Sequence, residues 1–315
     1  MLKARILILV TTVINLAHVQ VLLAQSTFVP FINPWETGWI DHLRYQYVPF
    51  WYKRTGANLT DANFSTAFRS DKIAFANDRM IISLDRQGCC QGDPNCTDQC
   101  FGQPFVSGEY SSLKSNNGYG TYTVRMQTAE GCGLVTGFFL IYINFTMDSS
   151  GKAIVDEWHE IDFEVLGKST NYVYTNYILK EGKDFPKYMD SQPILLEFVN
   201  TSGAKEVVDT SEALHTYSIK WTPTSIQWFF DGHQIRTVNA SETPQKKLPF
   251  KAGKIVANLW AGCTSTSGYF APCGAPGCTP ICAFGDKASA TFDFISSSSP
   301  TQMSQVLIPN IWTIW

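Results

Sequence analysis

Short runs in which apolar and polar residues alternate, each bounded by turn residues, recur along this chain. This is the feature that most limits its fold. Thr121 to Gln127 sets Tyr122, Val124 and Met126 against Thr123 and Arg125. Tyr217, Ile219 and Trp221 repeat the pattern, and Ile255 to Trp260 reads as a further strand. Ile73 to Leu84 reads as a hairpin turning at Asn77-Asp78, and Ile226 to Phe230 runs into a second turn at Asp231-Gly232. Period-two runs broken by such turns predict antiparallel strands with one buried face. No linker, repeat or long amphipathic helix interrupts them, and the expected fold is an all-β sandwich. A length of 315 residues suits one large domain of that class.

One run carries charge where a strand rarely does. In Trp158-His159-Glu160-Ile161-Asp162-Phe163-Glu164-Val165, acidic residues at 160, 162 and 164 alternate with Ile161, Phe163 and Val165. A strand places those three carboxyl groups on one face and the apolar side chains on the other. Crowded like charges destabilise a sheet, so the pattern points to chemistry rather than folding. Residues four apart lie about 13 Å apart at Cα, and two leaning Glu side chains close that to the ~5–5.5 Å carboxyl spacing of a retaining glycosidase. One carboxylate would then attack the anomeric carbon while the other protonates the departing oxygen. Asp162, between them, would hydrogen-bond the attacking group and raise the pKa of the neighbouring acid. Trp158 shares the parity of the carboxylates and is expected to face the same way, whereas His159 points to the other side.

The two ends of the chain and its cysteines suggest export. Lys3 and Arg5 precede the apolar run Ile6 to Val10, and small residues approach Ala24, the order of a signal peptide over 1–24. With that segment removed, no membrane span is expected. Six Asn-x-Ser/Thr acceptors follow, at Asn58, Asn63, Asn95, Asn144, Asn200 and Asn239. The nine cysteines group as Cys89, Cys90, Cys96 and Cys100, then Cys132, then Cys263, Cys273, Cys278 and Cys282. No His lies near either cluster, so stapled loops are favoured over a zinc site. A net charge of −3 without long basic runs argues against nucleic acid as a partner. From Ser296 a tail of 296–315 is expected, with a spacer too short for a lipid-anchor signal and with Pro309 and Asn310 inside its apolar stretch.

His159-Glu160-Ile161-Asp162-Phe163-Glu164-Val165-Leu166-Gly167 resembles the Glu-x-Asp-x-Glu signature of glycoside hydrolase family 16. The likeness extends over Phe105 to Tyr110, Tyr119 to Met126, Gly137 to Phe139, His215 to Trp221, Trp228 to Gly232 and Asn258 to Gly262. It implies a concanavalin A-like jelly-roll sandwich of two curved antiparallel sheets over 25–295, with substrate in the concave cleft. By the same resemblance Glu160 is the nucleophile, Asp162 its helper and Glu164 the acid/base. Glu109, Trp158, Asn176, Tyr177, Asn258 and Trp260 match positions that hold glucosyl units. The compact motif is most similar to the lichenase and xyloglucan branches. The expected function is therefore that of a secreted, monomeric endo-β-glucanase acting on β-1,3-1,4-glucan, located outside the cell or in a cell wall. A wall transglycosylase of the xyloglucan or chitin–glucan type is the alternative, and a glucan-binding lectin the rival from another class. Lichenases carry Arg where this chain has Ser111, and Ile178 stands where an aromatic residue is common. No cofactor or metal is expected in catalysis; Asp293 matches an Asp that binds structural calcium in some relatives, although one carboxylate does not define an ion site.

Overall fold

The computed structural model describes residues 39–44, 51–54, 56–57, 66–86, 103, 105–151, 153–199, 202–262 and 287–298. The expected signal peptide and both cysteine clusters lie outside these residues. Four short strands come first: β1 (Trp39–Asp41), β2 (Trp51–Lys53), β3 (Gly56–Ala57) and β4 (Thr66–Phe68). The hairpin β5 (Ile73–Ala76) and β6 (Arg79–Arg86) precedes β7 (Phe105–Ser107) and β8 (Glu109–Ser112). The longer strands follow as β9 (Gly120–Gln127), β10 (Leu134–Met147), β11 (Ala153–Leu166) and β12 (Tyr172–Glu181). Then come β13 (Tyr188–Leu195), β14 (Glu197–Val199) and β15 (Lys205–Val207). The last five are β16 (His215–Trp221), β17 (Ser225–Phe230), β18 (His233–Asn239), β19 (Lys254–Ala261) and β20 (Lys287–Ser298).

Two sheets take most of these strands. One runs β18-β17-β16-β9-β20-β6-β7-β4-β3, with β1 beside β20 and β5 beside β6. The other runs β13-β12-β11-β10-β19-β8-β2 and is antiparallel throughout. The all-β sandwich is thus the observed architecture. Both expected turns take the left-handed backbone that tight hairpins need, with φ of 53° and 58° at Asn77 and Asp78, and 46° and 81° at Asp231 and Gly232.

Alternation decides which side chains meet between the sheets. Tyr122, Val124, Met126, Tyr217, Ile219 and Trp221 are buried from one sheet, as their period predicts. Phe138, Leu140, Ile161, Phe163 and Val165 oppose them from the other. Burial of this apolar area drives the assembly at about 25 cal/mol per Å². Its consequence for function is that the remaining face of the β11 sheet cannot also be core. At the C-terminal side β20 continues through Ser298, with Ser296, Ser297 and Ser298 opposite Thr123, Tyr122 and Thr121. The start of the expected tail therefore belongs to the sheet, and the rest of it lies outside the described residues. Asp293, offered to calcium by resemblance, accepts a hydrogen bond from Arg125 at 2.7 Å. One carboxylate already bridged by a guanidinium does not fit a calcium ion.

Candidate active site

The acidic run occupies the second half of β11, an interior strand of its sheet. Ile161, Phe163 and Val165 point into the core, at most 1% exposed, so strand parity turns Glu160, Asp162 and Glu164 to the opposite face. Register then fixes their neighbours. Glu160 lies between Ile141 of β10 and Ile178 of β12, Asp162 between Phe139 and Asn176, and Glu164 between Gly137 and Tyr174. Trp158, two residues earlier, lies between Ile143 and Lys180. Gly137 keeps the floor beside Glu164 bare, since a Cβ there would come within 2.6 Å of the Asn258 side-chain oxygen.

Hydrogen bonds orient the carboxyl groups. The Trp158 indole N–H donates to Glu160 Oε2 at 2.6 Å. Asn176 Nδ2 donates to Asp162 Oδ2 at 2.7 Å. Asp162 and Glu160 lie close enough on this face for each carboxyl group to act on the titration of the other. Burial and the neighbouring charges of Glu160 and Glu164 hold Asp162 well above the usual carboxylate range. Burial also pushes Glu160 up, to about 7, while the donors Trp158 and Asp162 and the charge of Lys187 pull it back. Two carboxyl groups buried side by side do not both ionise readily, so the pair retains a proton into the neutral range. A carboxyl group oriented by an indole N–H and followed four residues later by a second Glu on the same face suits attack at a carbon centre coupled to proton delivery.

Residues 60–269 match the family model described as Glycosyl hydrolases family 16. The chain belongs to glycosyl hydrolase family 16. A beta-glucanase of Acetivibrio thermocellus is 31% identical over 214 residues, covering 67% of this chain and 51% of that protein. The chain thus spans about half the length of that relative. A beta-glucanase of Paenibacillus polymyxa is 30% identical over 218 residues, covering 67% of this chain and 71% of the other. Among solved structures, a β-1,3-1,4-glucanase (lichenase) derived from a mouse hindgut metagenome superposes with a TM-score of 0.58 at 24% identity, over 83% of this chain and 99% of that one. It supports the jelly-roll fold.

Against the family 16 pattern, the positions expected to hold sugar divide. Asn258 and Glu109 are directly opposite each other on β19 and β8, and Asn258 is opposite Gly137, so all three share the face of Glu164. Trp260 shares that parity but is only 8% exposed, packed with Phe68, Val135 and Leu166 beside Tyr174. Its ring forms part of an apolar wall. Tyr177 is a correction. It lies opposite Ile161, is fully buried in the core and packs on Tyr188 at 5.6 Å between ring centroids. Adjacent strand residues face opposite sides, so Asn176 on the cleft face forces Tyr177 inward. Ile178, where an aromatic residue is common, does lie on the cleft face beside Glu160 and is nearly buried.

Two residues belong to the site without having been expected there. Arg54 follows β2, and its guanidinium reaches both carboxylate oxygens of Glu109 at 3.1 and 3.3 Å. Ser111 Oγ lies 3.4 Å from the same carboxylate. The arginine that Ser111 lacks is thus supplied from the neighbouring strand, a substitution in space that spacing along the chain cannot reveal. Lys187, just before β13, lies with its ammonium 4.7 Å from the centroid of the Trp158 ring. The amide oxygens of Asn176 and Asn258 are buried and have no protein hydrogen-bond partner among the described residues.

Cys132, alone among the cysteines, falls within the described residues, and it is disulfide-bonded. The other eight lie outside them, as do the sequons at Asn58, Asn63, Asn95 and Asn200. Among the described residues no helix is long and apolar enough to cross a membrane.

Proposed function

We propose that this chain is a secreted endo-β-glucanase that cleaves β-1,3-1,4-glucan with retention of configuration. The observation that carries the reading is the placement of Glu160, Asp162 and Glu164 on one face of one strand, with Trp158 donating to Glu160 and Asn176 to Asp162. Glu160 attacks the anomeric carbon and forms a glycosyl ester as the glycosidic C–O bond breaks. Glu164 gives its proton to the departing oxygen. It then takes a proton from water, which attacks the same carbon and releases Glu160. The proton retained by the Glu160–Asp162 pair keeps the nucleophile oriented and spreads its charge when the ester is cleaved.

Glu109, Asn258 and Asn176 supply hydrogen-bonding groups along the cleft, with Trp158 as the aromatic surface beside the nucleophile. The substrate class is supported by the named relatives, which are beta-glucanases, and by the lichenase fold neighbour. Secretion is supported by the leader-like first 24 residues and the sequons.

Purified protein incubated with mixed-linkage glucan, xyloglucan and β-1,3-glucan, with and without a labelled oligosaccharide acceptor, tests this reading. Short products from mixed-linkage glucan, lost on Glu160→Gln, are expected. Label passing into polymer with little reducing sugar would mean that a sugar hydroxyl rather than water resolves the ester. Turnover unchanged by Glu160→Gln would remove the catalytic assignment, and binding without turnover would make the protein a lectin.

A further inference from the structure

The segment that leads into β13 places a cation on the aromatic residue beside the nucleophile. Tyr188, at the start of β13, lies opposite Leu179 and packs its ring on core Tyr177. That anchor turns the residues on either side of it, Lys187 and Met189, to the cleft face. Met189 is opposite Ile178, which is opposite Glu160. Lys187 Nζ lies over the Trp158 ring at 4.7 Å, and the same indole donates its N–H to Glu160 Oε2 at 2.6 Å. Lys187 enters none of the ion pairs seen among the described residues. Its side chain is exposed, so nothing about packing requires it to lie there.

We propose that Lys187 is a positioning residue for the nucleophile, holding the Trp158 indole where its N–H meets Glu160. The inference rests on Glu160 being that nucleophile. A cation over an indole face contributes about 0.5–2 kcal/mol, enough to favour one rotamer of a partly exposed tryptophan. It also covers one face of the ring, so a glucosyl unit stacks on the other.

The positive charge adds a second effect, because it favours the carboxylate form of Glu160. Among the described residues, the other charged or titratable groups toward Glu160 are Asp162 and Glu164 on β11 and Lys180 on β12, whose ammonium is bonded to the Asp156 and Gly182 carbonyls. On the β10 side the facing residue is Ile141, and beyond it Lys254 of β19 is bonded to the Tyr52 hydroxyl at 3.1 Å. Lys187 is therefore the cation whose removal acts on Glu160 through both the indole and the field.

The test is the pH profile of kcat/KM on mixed-linkage glucan for Lys187→Met and Lys187→Arg, with the unfolding midpoint of each. In Lys187→Met the acid limb is expected to move up by about 0.5–1 pH unit, a loss of about 3–10-fold below the limb, without a change in midpoint. Lys187→Arg is expected to restore the limb, since a guanidinium also stacks on an indole. An unmoved acid limb in Lys187→Met, whether the rate is unchanged or uniformly lowered, overturns the proposal while leaving Glu160 in place. Failure of Lys187→Arg to restore a moved limb overturns it as well. If Glu160→Gln keeps its turnover, the underlying assignment fails instead.

Discussion

Trp228 donates its indole N–H to the backbone carbonyl of Asp162 at 2.9 Å, joining the two sheets at the strand that carries the three carboxyl groups. Trp228 belongs to β17, is fully buried, and has the Arg236 guanidinium 4.9 Å from its ring centroid. Arg236 in turn donates to the Thr175 carbonyl at 2.6 Å on β12 and pairs with Asp190 on β13 at 2.8 Å. The strand carrying the carboxylates is thus held from behind by the opposite sheet.

Replacing Trp228 by Phe removes the buried donor to the Asp162 carbonyl and leaves a small void. The expected loss of stability is about 1–3 kcal/mol. Because the released backbone belongs to the strand that carries the three carboxyl groups, kcat should fall more than KM rises. Urea unfolding with steady-state kinetics checks both. A variant as stable and as fast as the parent would show that the cross-sheet bond does not position Asp162.

The proton shared by Asp162 and Glu160 makes stability depend on pH. Burial raises both groups above the usual carboxylate range, and neighbouring charge adds to it, from Glu164 at Glu160 and from Glu160 and Glu164 at Asp162. Between the ordinary value of 4.5 and the folded value of about 7 for Glu160, the native chain holds protons that the unfolded chain has released. Their stabilising contribution is complete below the ordinary carboxylate range and is lost as pH rises through about 7. Asp162→Asn cannot ionise, so it is expected to exceed the parent in stability above pH 7, with the difference vanishing toward pH 4. An excess of about 1 kcal/mol would raise the midpoint by roughly 2–4 °C in a domain of this size. Thermal scans from pH 4 to 8 test this; a constant offset across pH would mean that the pair is ionised like ordinary carboxylates.

The sheet architecture and the common face of the three carboxyl groups could be read along the chain because a period of two is local. Ile161 and Phe163 had to be core, which left Glu160, Asp162 and Glu164 nowhere to point but outward. Tyr177 shows where resemblance overrode that logic. Asn176 and Tyr177 are consecutive on a strand, and parity alone forbids both from facing the cleft. What local pattern could not supply was contact between distant strands. The carboxylate of Glu109 meets Arg54, 55 residues earlier, and Trp158 meets Lys187 from the far side of the β12–β13 turn. Neither pairing has a signal until register is known, and the Trp228 bond to Asp162 is invisible for the same reason.

Arg54 and Glu109 make the third prediction. Glu109 is 6% exposed, whereas the Arg54 side chain is 34% exposed, so the pair is a buried carboxylate closed by a half-open guanidinium. Arg54→Met would leave that carboxylate facing only Ser111 and Asn258, whose side chains lie 3.4 and 3.5 Å away. With the solvent access of the arginine reducing the effect, a loss of about 1–2 kcal/mol is expected. Glu109→Gln leaves a neutral acceptor and should cost less. The double variant should cost less than the sum of the two, because the second change removes the uncompensated charge that makes the first expensive. If the cluster also binds sugar, KM for long glucan rises several-fold in each single variant while kcat moves little, since the interaction is made equally in ground and transition states. A double-mutant cycle on stability, run beside KM, separates the two roles. Additive stability losses would mean that Arg54 and Glu109 act independently. An unchanged KM would confine the pair to holding the edge of the sheet.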